Sequence, residues 1–535
     1  MKCPYCEAEI SEGSVFCAIC GHKLPEASTA PINGTTPTGG ENTERESDDR
    51  YIYKPKKKSK ALSVVIAVVV IAAVAAVVSA LIAALIMSGS GDANTITAWS
   101  KDGEIYFMYN DKLLDGTADE ESVTLLSRSD DGSVSFYYSD DTVYVVKSSG
   151  ISTVDTFYCG VASADGSKFY YVTTDSELYV YDVSGGKSTR VAEDVNANIL
   201  AVSPDGATAA YASYSDEDDD EDTMSVYIYS GGKSSVLDVD DSKIPFAISN
   251  SAKYIYLYDS VTGGIYVSDK KGSTEKIAAG VEYYVFFNND NTEMLFWYDG
   301  STYRYAAGDE DKIKLSSSEC YPLGNYSVIC MGFVRGYSHY AYTCGIESFS
   351  ETFYIDYEEV TVYFCDKYCD LTKIVSSAED YGVYDDGNVL MYVKRSSLYL
   401  VEADSLDDAV KLASDVVDFA ALSDGSAAYY INNDEELIYV TKDGEETKIA
   451  DDAESVSMTY DDCALFITES VNGYGALYSS KNGGERHKIS DDVCELFICD
   501  GVTFYVTGTS TYDIYAASSG ANFSLVLEDC ETYCE

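Results

Sequence analysis

Apolar and polar residues follow two different patterns along the chain. The first is a continuous apolar run at residues 61–87, ALSVVIAVVVIAAVAAVVSALIAALIM, whose only polar side chains are Ser63 and Ser79. About 20 apolar residues suffice to cross the roughly 30 Å hydrocarbon core of a membrane, so this run predicts one transmembrane helix. The second pattern has a period of two, as in YIYLY at residues 254–258, and it predicts short β-strands.

The strand pattern repeats along residues 100–535. Each unit begins with an apolar strand, a turn rich in Asp and Gly, and an aromatic strand. The first turns of the units are Asp131-Gly132, Asp165-Gly166, Asp205-Gly206, Asn250, Asp290, Asp386-Gly387, Asp424-Gly425, Asp461 and Asp500-Gly501. Four short strands in every ~40 residues are typical of a β-propeller blade. We therefore predict a mainly β fold in which residues 100–535 form a β-propeller repeat domain.

The number of repeats leaves the closure of this domain open. About ten four-stranded units fit from about residue 120 onward, and Asp102-Gly103 is a candidate start of another. One propeller usually has about four to eight blades. The sequence therefore allows one large ring with incomplete units or two propellers in tandem. A solenoid is a third option, which the Tyr-rich strands disfavour.

An irregular insertion interrupts the repeat at about residues 318–375. It holds five of the eleven Cys that follow the apolar run, and it contains the stretch GFVRGYSHYAY. Arg335 and His339 of this stretch are a possible ligand-binding pair, because insertions in repeat folds often carry the binding surface. The alternative is a long loop held by disulfides and without a ligand. Since eleven is odd, at least one thiol stays unpaired or pairs with another chain.

The charge of the chain is strongly asymmetric. Residues 1–60 hold equal numbers of basic and acidic side chains, so the whole net charge of −54 falls on residues 88–535. Such a surface repels nucleic acid, which excludes polynucleotide binding by this part. Hydrophobic residues make up 46% of the chain, so the acidity does not imply disorder. The acidic run at residues 216–222 allows a Ca²⁺ site, but it lacks the spaced ligands of an EF-hand loop, which favours a solvated hairpin extension instead.

The flanks of the apolar run predict its orientation. Five Lys lie just before it, namely Lys54, Lys56, Lys57, Lys58 and Lys60, and Asp92 is the first charge after it. Cytoplasmic flanks are enriched in Lys and Arg. We therefore expect a single-pass protein of the cell membrane with a cytoplasmic N-terminus, a short linker at residues 88–99 and an extracytoplasmic C-terminal domain. A signal peptide is the weaker alternative, since the run is about twice the usual length. Ala recurs every four residues from Ala72 to Ala84, which leaves homodimerisation through the span possible.

The N-terminal segment contains two C-x-x-C pairs. Cys3, Cys6, Cys17 and Cys20 can occupy the four corners of a tetrahedral Zn²⁺ site, and a unit as short as residues 1–26 has no other route to a stable fold. Redox dithiols or structural Cys are the alternative. Four protein ligands leave no open position for catalysis, so the predicted role is structural. Residues 27–60, rich in Ser, Thr, Pro and Gly, predict a flexible linker with a Lys-rich end.

Two parts of the chain resemble known families. Cys3-Pro4-Tyr5-Cys6 and Phe16-Cys17-Ala18-Ile19-Cys20-Gly21 resemble the bacterial zinc-ribbon domains, which precede a transmembrane helix in many envelope proteins; Glu7 departs from the usual Gly. Ser203-Pro204-Asp205-Gly206 and Tyr179-Val180-Tyr181-Asp182 are similar to the repeats of TolB-like and WD40-like extracytoplasmic propellers. The second resemblance implies a fold that serves many functions, so it carries little functional weight.

Three functions follow as hypotheses. The first is a non-enzymatic envelope protein whose propeller binds an extracellular polymer or protein and whose zinc ribbon docks a cytoplasmic partner. It rests on the closed Cys₄ site and on a repeat domain without a recognisable catalytic motif. The second is a membrane-tethered enzyme that acts on cell-wall glycan or peptide. The third is a sensor that relays ligand binding across the membrane.

Overall fold

The computed structural model describes most of the predicted repeat domain. The described residues are 94–102, 104–118, 122–214, 224–280, 284–309, 311–323, 329–333, 340–343, 348–357, 359–471, 473–499, 501–508, 511–530 and 532–534. The predicted zinc ribbon, linker and transmembrane run lie outside them, so these three stay predictions. Among the described residues, no helix combines the length and the apolar character needed to cross a membrane.

Short antiparallel strands dominate the first half of the described chain. They are β1 (Ile96–Lys101), β2 (Glu104–Tyr109) and β3 (Lys112–Ala118); β4 (Thr124–Arg128), β5 (Val134–Ser139), β6 (Thr142–Lys147) and β7 (Gly150–Val154); β8 (Phe157–Ala162), β9 (Lys168–Thr173), β10 (Leu178–Asp182) and β11 (Lys187–Ala192); β12 (Val195–Val202), β13 (Thr208–Tyr214), β14 (Met224–Ser230) and β15 (Lys233–Leu237); β16 (Lys243–Ile248), β17 (Ile255–Asp259), β18 (Ile265–Ser268) and β19 (Thr274–Ala278); β20 (Tyr284–Phe287), β21 (Glu293–Tyr298), β22 (Ser301–Ala306) and β23 (Ile313–Ser316). A one-turn 3₁₀ helix covers Asn250–Ala252.

The second half continues in the same way. Its strands are β24 (Tyr321–Leu323), β25 (Ile329–Phe333), β26 (Tyr340–Thr343), β27 (Thr352–Asp356), β28 (Thr361–Cys365) and β29 (Leu371–Val375); β30 (Asp380–Tyr384), β31 (Val389–Lys394), β32 (Ser397–Glu402) and β33 (Val410–Ser414); β34 (Val416–Ala421), β35 (Ala427–Asn432), β36 (Leu437–Thr441) and β37 (Glu446–Ala450); β38 (Ala453–Met458), β39 (Cys463–Val471), β40 (Tyr474–Lys481) and β41 (His487–Cys499); β42 (Val502–Gly508), β43 (Tyr512–Ala517), β44 (Ser524–Cys530) and β45 (Thr532–Cys534). A second 3₁₀ turn covers Asp385–Gly387.

These strands form eleven four-stranded groups among the described residues, which we number sheets 1 to 11 in chain order. Sheets 2 to 6 start at β4, β8, β12, β16 and β20, and sheets 7 to 10 start at β24, β30, β34 and β38. Sheets 10 and 11 share β41, whose first part pairs with β40 and whose second part pairs with β42. Sheet 1 combines β1, β2 and β3 with β45. The four-stranded repeat predicted from the turns is confirmed.

Hydrophobic clusters join each sheet to the next. Phe107 of sheet 1 packs with Tyr137 of sheet 2, and buried clusters of this kind follow for every consecutive pair of sheets up to 10 and 11. A further cluster places Trp99 of sheet 1 against Phe504 of sheet 11. The sheets therefore pack in a closed order, and the architecture is a β-propeller-like repeat. Burial of these aliphatic and aromatic side chains is the main stabilising contribution.

The first turn of each sheet explains the Asp-Gly signal. In sheet 3, Ser163 Oγ donates to Asp165 Oδ1 at 2.6 Å, and the same oxygen accepts from Ser167 N at 2.9 Å. Gly166 then adopts a φ of +65°, a conformation that Gly reaches without steric cost. In sheets 6 and 10 Asn291 and Asp462 take this position with φ of +56° and +59°. Asn and Asp tolerate this region better than other residues with a side chain, which is why the repeat persists without Gly there.

The same turns connect neighbouring sheets by hydrogen bonds. Asp130 N donates to Ala164 O at 2.8 Å, and Asp165 N donates to Pro204 O at 3.2 Å. Asp205 N donates to Asn250 Oδ1 at 2.9 Å. A belt of turns therefore links sheets 2 to 5 on one face of the repeat.

The irregular insertion consists of a hairpin inside sheet 7. β24 pairs with β27, and the strands β25 and β26 leave the sheet between them. β25 meets β12 at Ala201↔Gly332, and β26 runs parallel to β20 from Tyr284↔Tyr340 to Phe287↔Thr343. β25 also approaches β4, β8 and β16. The hairpin thus lies against the first strands of sheets 2 to 6, which we call inner strands because they approach one another.

Candidate binding site on the inner strands

The first strands of sheets 7 to 11 hold the same place in their sheets, and we call them inner strands as well. Those of sheets 8 to 11, namely β30, β34, β38 and the second part of β41, form the candidate site. In β34, β38 and the second part of β41, a register shift follows the first paired residue. A β-bulge of this kind leaves one residue unpaired and re-aims the side chains beside it. Val417 is the unpaired residue of β34, and 63% of its surface is exposed.

Three carboxyl groups occupy equivalent positions on these strands. The second strands of sheets 8 to 11 are β31, β35, β39 and β42. In each of them, the fifth residue pairs with one residue of the inner strand. The four pairs are Asp380↔Val393, Asp418↔Ile431, Ser455↔Ile467 and Glu495↔Val506. Four consecutive sheets thus present two Asp, one Ser and one Glu at the same level. We call Asp380, Asp418 and Glu495 the carboxylate row.

The carboxylate row is electrostatically perturbed. Neighbouring strands partly desolvate Asp380, although its side chain still reaches solvent, and together with the nearby charge of Asp418 this raises the pKa of Asp380 to about 6. Burial also raises the pKa of Asp418, although its Oδ2 accepts a hydrogen bond from Val456 N at 3.2 Å. The pKa of Glu495 is raised by burial alone. Each of these groups gains free energy from a proton, a cation or a hydrogen-bond donor supplied by a ligand.

Aromatic side chains lie beside the carboxylate row. Tyr381 follows Asp380 on β30 and is hydrogen bonded to Tyr357, whose side chain is 42% exposed. The ring of Tyr357 lies 5.1 Å from the ring of Tyr321 on the inner strand of sheet 7. Burial raises the pKa of both Tyr357 and Tyr381, so both hydroxyls stay protonated; one of them donates to the other, which leaves one proton for a ligand. The site therefore combines hydrogen-bond acceptors with exposed ring surface.

A groove of about 700 Å³ lies between sheets 8 and 9, apart from the carboxylate row. Its polar lining includes Lys411, Asp415, Asn433 and Asp434. The hydroxyl of Tyr430 donates to Glu446 Oε1 at 2.8 Å, and burial raises the pKa of this Tyr. The groove holds both signs of charge, in contrast to the carboxylate row.

Several residues expected from the sequence cannot be placed. Arg335 and His339 fall between β25 and β26, outside the described residues, and so do Cys3, Cys6, Cys17 and Cys20. The acidic run at residues 216–222 also lies outside them. Within the described part of the chain, no group of three or more His, Cys, Asp or Glu side chains is arranged to hold a metal ion. The zinc, Ca²⁺ and ligand-binding assignments of these residues stay predictions.

Sequence reasoning did not identify the carboxylate row. The domain has so many acidic residues that close pairs are inevitable, and proximity in sequence therefore carries no signal. Asp380, Asp418 and Glu495 are related by their equivalent positions in the strand pairing. These positions can be aligned only after the bulges and strand pairings are known.

Comparisons with known proteins give low similarity. No protein-family description matches the chain, and no curated protein matches it. The tricorn protease aligns over 76% of this chain and 53% of its own length, with 12% identity and a TM-score of 0.27, so the chain spans about half of that protein. PorZ, a surface component of the type-IX secretion system of Porphyromonas gingivalis, aligns over 83% and 67%, with 11% identity and a TM-score of 0.29. A eukaryotic initiation factor aligns over 77% and 97%, with 10% identity and a TM-score of 0.35. Similarities of this size say nothing about what this chain does.

Proposed function

We propose that the chain is a non-enzymatic, single-pass envelope protein whose repeat domain binds an extracellular polymer or protein through the inner strands of sheets 8 to 11. The observation that carries the proposal is the carboxylate row at one level of four neighbouring sheets, beside the exposed Tyr357. The predicted transmembrane helix anchors this domain. The predicted zinc ribbon, on the cytoplasmic side, docks a partner there.

The chemistry of the site defines the class of ligand. Carboxylates accept hydrogen bonds from hydroxyl and ammonium groups, and they favour such donors most where water is partly excluded. Tyrosine rings add a large contact area with a polar tip. A polymer that presents hydroxyl or ammonium groups along its length, such as a wall glycan or a basic protein segment, matches both features.

The experiment measures binding by the full chain in detergent. Purified cell-wall peptidoglycan and polysaccharides serve as probes in a sedimentation assay, and surface proteins are tested by pull-down. Asp418→Asn and Tyr357→Ala are expected to lower binding about tenfold each. Asp175→Asn removes the same charge from an exposed turn of sheet 3 and is the matched control, expected to bind like the wild type. Equal binding by all three variants would remove the site from the proposal, and no binding to any probe would overturn the proposed function.

A membrane-tethered enzyme acting on wall glycan is a second candidate, favoured by the coupling of two carboxyl groups. Glycoside hydrolysis requires two neighbouring carboxyl groups. One of them has a raised pKa and, in its protonated form, acts as the acid. Asp380 would be that acid and Asp418 its partner. Turnover of peptidoglycan by the full chain, abolished in Asp380→Asn, supports this candidate; the absence of turnover over a broad glycan panel rejects it.

A further inference from the structure

Three buried cysteines meet in the core between sheets 6 and 7. Cys320, Cys365 and Cys369 pack there with Trp297 and Tyr354, and none of the three exposes more than 6% of its surface. All three carry thiols in the structure. Cys369 lies close enough to Cys365 to contribute to the raised pKa of the Cys365 thiol.

The pair closes a short turn at the surface. Cys365 is the last residue of β28, and Cys369 lies in the turn that leads to β29. The turn is held by its own bonds, since Asp366 Oδ1 accepts from Tyr368 N at 2.8 Å and from Asp370 N at 2.9 Å. Tyr368 is 71% exposed, and Cys369 has a φ of +65°, which is unfavourable for a residue with a side chain. Because Cys369 lies in the turn and not in a paired strand, opening of this turn would bring it to solvent without unfolding a sheet.

The guanidinium of Arg304 is held in contact with the sulfur of Cys369. Arg304 Nη1 donates to Cys369 Sγ at 3.5 Å. Its Nε and Nη2 donate to the two carboxylate oxygens of Glu293 at 3.0 and 2.6 Å. Glu293 also accepts from Phe349 N at 2.9 Å, so the guanidinium cannot turn away from the sulfur. The negative charge that develops on Cys369 during thiol chemistry consequently has a positive partner in place.

We propose that Cys365 and Cys369 form a redox-active dithiol that closes to an intrachain disulfide by exchange with a disulfide-bonded thiol carrier. The Cys369 thiolate attacks one sulfur of the carrier, forms a mixed disulfide and releases one carrier thiolate. The Cys365 sulfur then attacks Cys369, its proton passes to the second carrier sulfur, and that sulfur leaves as a thiol. The chain loses two electrons and two protons, and one carrier disulfide becomes two carrier thiols.

The two thiols have different roles in this sequence. Burial raises the pKa of Cys365 to about 12, with the adjacent Cys369 and Asp366 adding to the effect. Cys365 therefore holds its proton until a mixed disulfide is already next to it, which is the behaviour of a resolving thiol. Cys369, in the exposed turn and beside Arg304, is the attacking thiol.

The test titrates the full chain with mixtures of reduced and oxidised glutathione. Trypsin cuts after Lys367, between the two cysteines, so the expected disulfide links the Cys365 peptide to the short peptide of residues 368–373, and reduction separates them. Because the Cys365 peptide also contains Cys344, fragmentation by mass spectrometry identifies the bonded sulfur. Cys365→Ser and Cys369→Ser are expected to abolish the linked species, while Cys463→Ser, at a buried thiol between sheets 9 and 10, leaves it unchanged.

The rate of alkylation assigns the roles of the two thiols. In the reduced chain, iodoacetamide is expected to modify Cys369 at least tenfold faster than Cys365, and Arg304→Lys is expected to slow the reaction of Cys369 several-fold. Persistence of both thiols in oxidised glutathione would overturn the proposal. A bond from Cys369 to Cys320 or Cys344 instead would overturn it as well.

Discussion

Trp99 lies opposite Tyr533 in sheet 1, where a strand from the end of the described chain completes a sheet begun near residue 96. Ala98↔Cys534 and Ser100↔Thr532 are the flanking pairs of this register. The indole of Trp99 packs against Phe504 at 5.7 Å between ring centroids, so the same residue belongs to the interface between sheets 11 and 1. The closed order of the sheets therefore rests on two contacts, the cluster around Trp99 and a strand of three residues.

Deletion of residues 531–535 is expected to weaken this closure. The deletion removes the backbone hydrogen bonds of β45, at about 1 kcal/mol each, so we expect a loss of roughly 2–4 kcal/mol in the free energy of unfolding. Urea unfolding followed by the fluorescence of Trp99, in a background with Trp297→Phe, measures the change. Deletion of Glu535 alone is the control. Identical unfolding midpoints for the two deletions would contradict a role of β45 in closure.

Substitution of a turn glycine tests the close approach between the first turn of sheet 2 and the segment that leads into sheet 1. A Cβ added at Gly132 would lie 1.7 Å from Asn94 O, and the residue has a φ of +65°. Gly231 has a similar φ of +58° but open space around it. We expect Gly231→Ala to cost about 1 kcal/mol for its backbone conformation alone, and Gly132→Ala to cost more than about 3 kcal/mol because backbone must move. Thermal unfolding compares them, and equal costs would contradict the close approach of the two sheets.

Replacing one partner of the Glu293–Arg304 ion pair is expected to lower the free energy of unfolding more than replacing both partners. The two side chains are only 15% and 13% exposed, and their contact is bidentate. Removing one partner leaves a buried charge, which typically costs about 3–5 kcal/mol. Arg304→Met and Glu293→Gln should each be strongly destabilising in denaturant unfolding. The double variant should be less destabilised than the sum of the two, and strict additivity would show that the pair is not coupled.

The stability of the domain should depend on the protonation of Asp380. Its pKa is raised to about 6 in the folded chain, so folding favours the protonated form. The contribution of Asp380 to stability is therefore largest below about pH 4, its ordinary pKa range, and is lost as the pH rises towards about 6. Asp380→Asn should be more stable than the wild type at about pH 8 by about 1 kcal/mol, less than the full shift implies because the side chain reaches solvent.

Unfolding midpoints measured between about pH 3.5 and pH 8 test this sign. The difference in unfolding midpoint between the wild type and Asp380→Asn should grow between about pH 4 and pH 6 and stay constant at higher pH. The midpoint of Asp175→Asn should not diverge from that of the wild type in this way. A difference that closes as the pH rises would contradict the raised pKa.

The sequence predicted the repeat well because its cause is local. Asp165-Gly166 and Asp424-Gly425 mark first turns that need a positive φ, and this requirement is visible without any knowledge of the fold. The insertion expected at about residues 318–375 coincides with sheet 7, from which the hairpin of β25 and β26 departs. The path of that hairpin was not predictable, since β26 pairs with β20 through backbone groups that every residue carries.

The carboxylate row escaped prediction for a related reason. The positions of Asp418 and Glu495 depend on a one-residue bulge in each inner strand, and a shift by one residue would turn each side chain to the other face. Composition and spacing do not reveal such a bulge. The closing strand β45 could not be predicted either, because three residues are too few to show a period of two.

Because sheet 1 takes strands from both ends of the described chain, the order of the sheets does not depend on where the chain is opened. A chain joined by a short linker between residues 534 and 96, and cut instead at the exposed turn of Gly231 and Gly232, would retain every interface between sheets. A circularly permuted chain is therefore expected to form the same sheets in the same order.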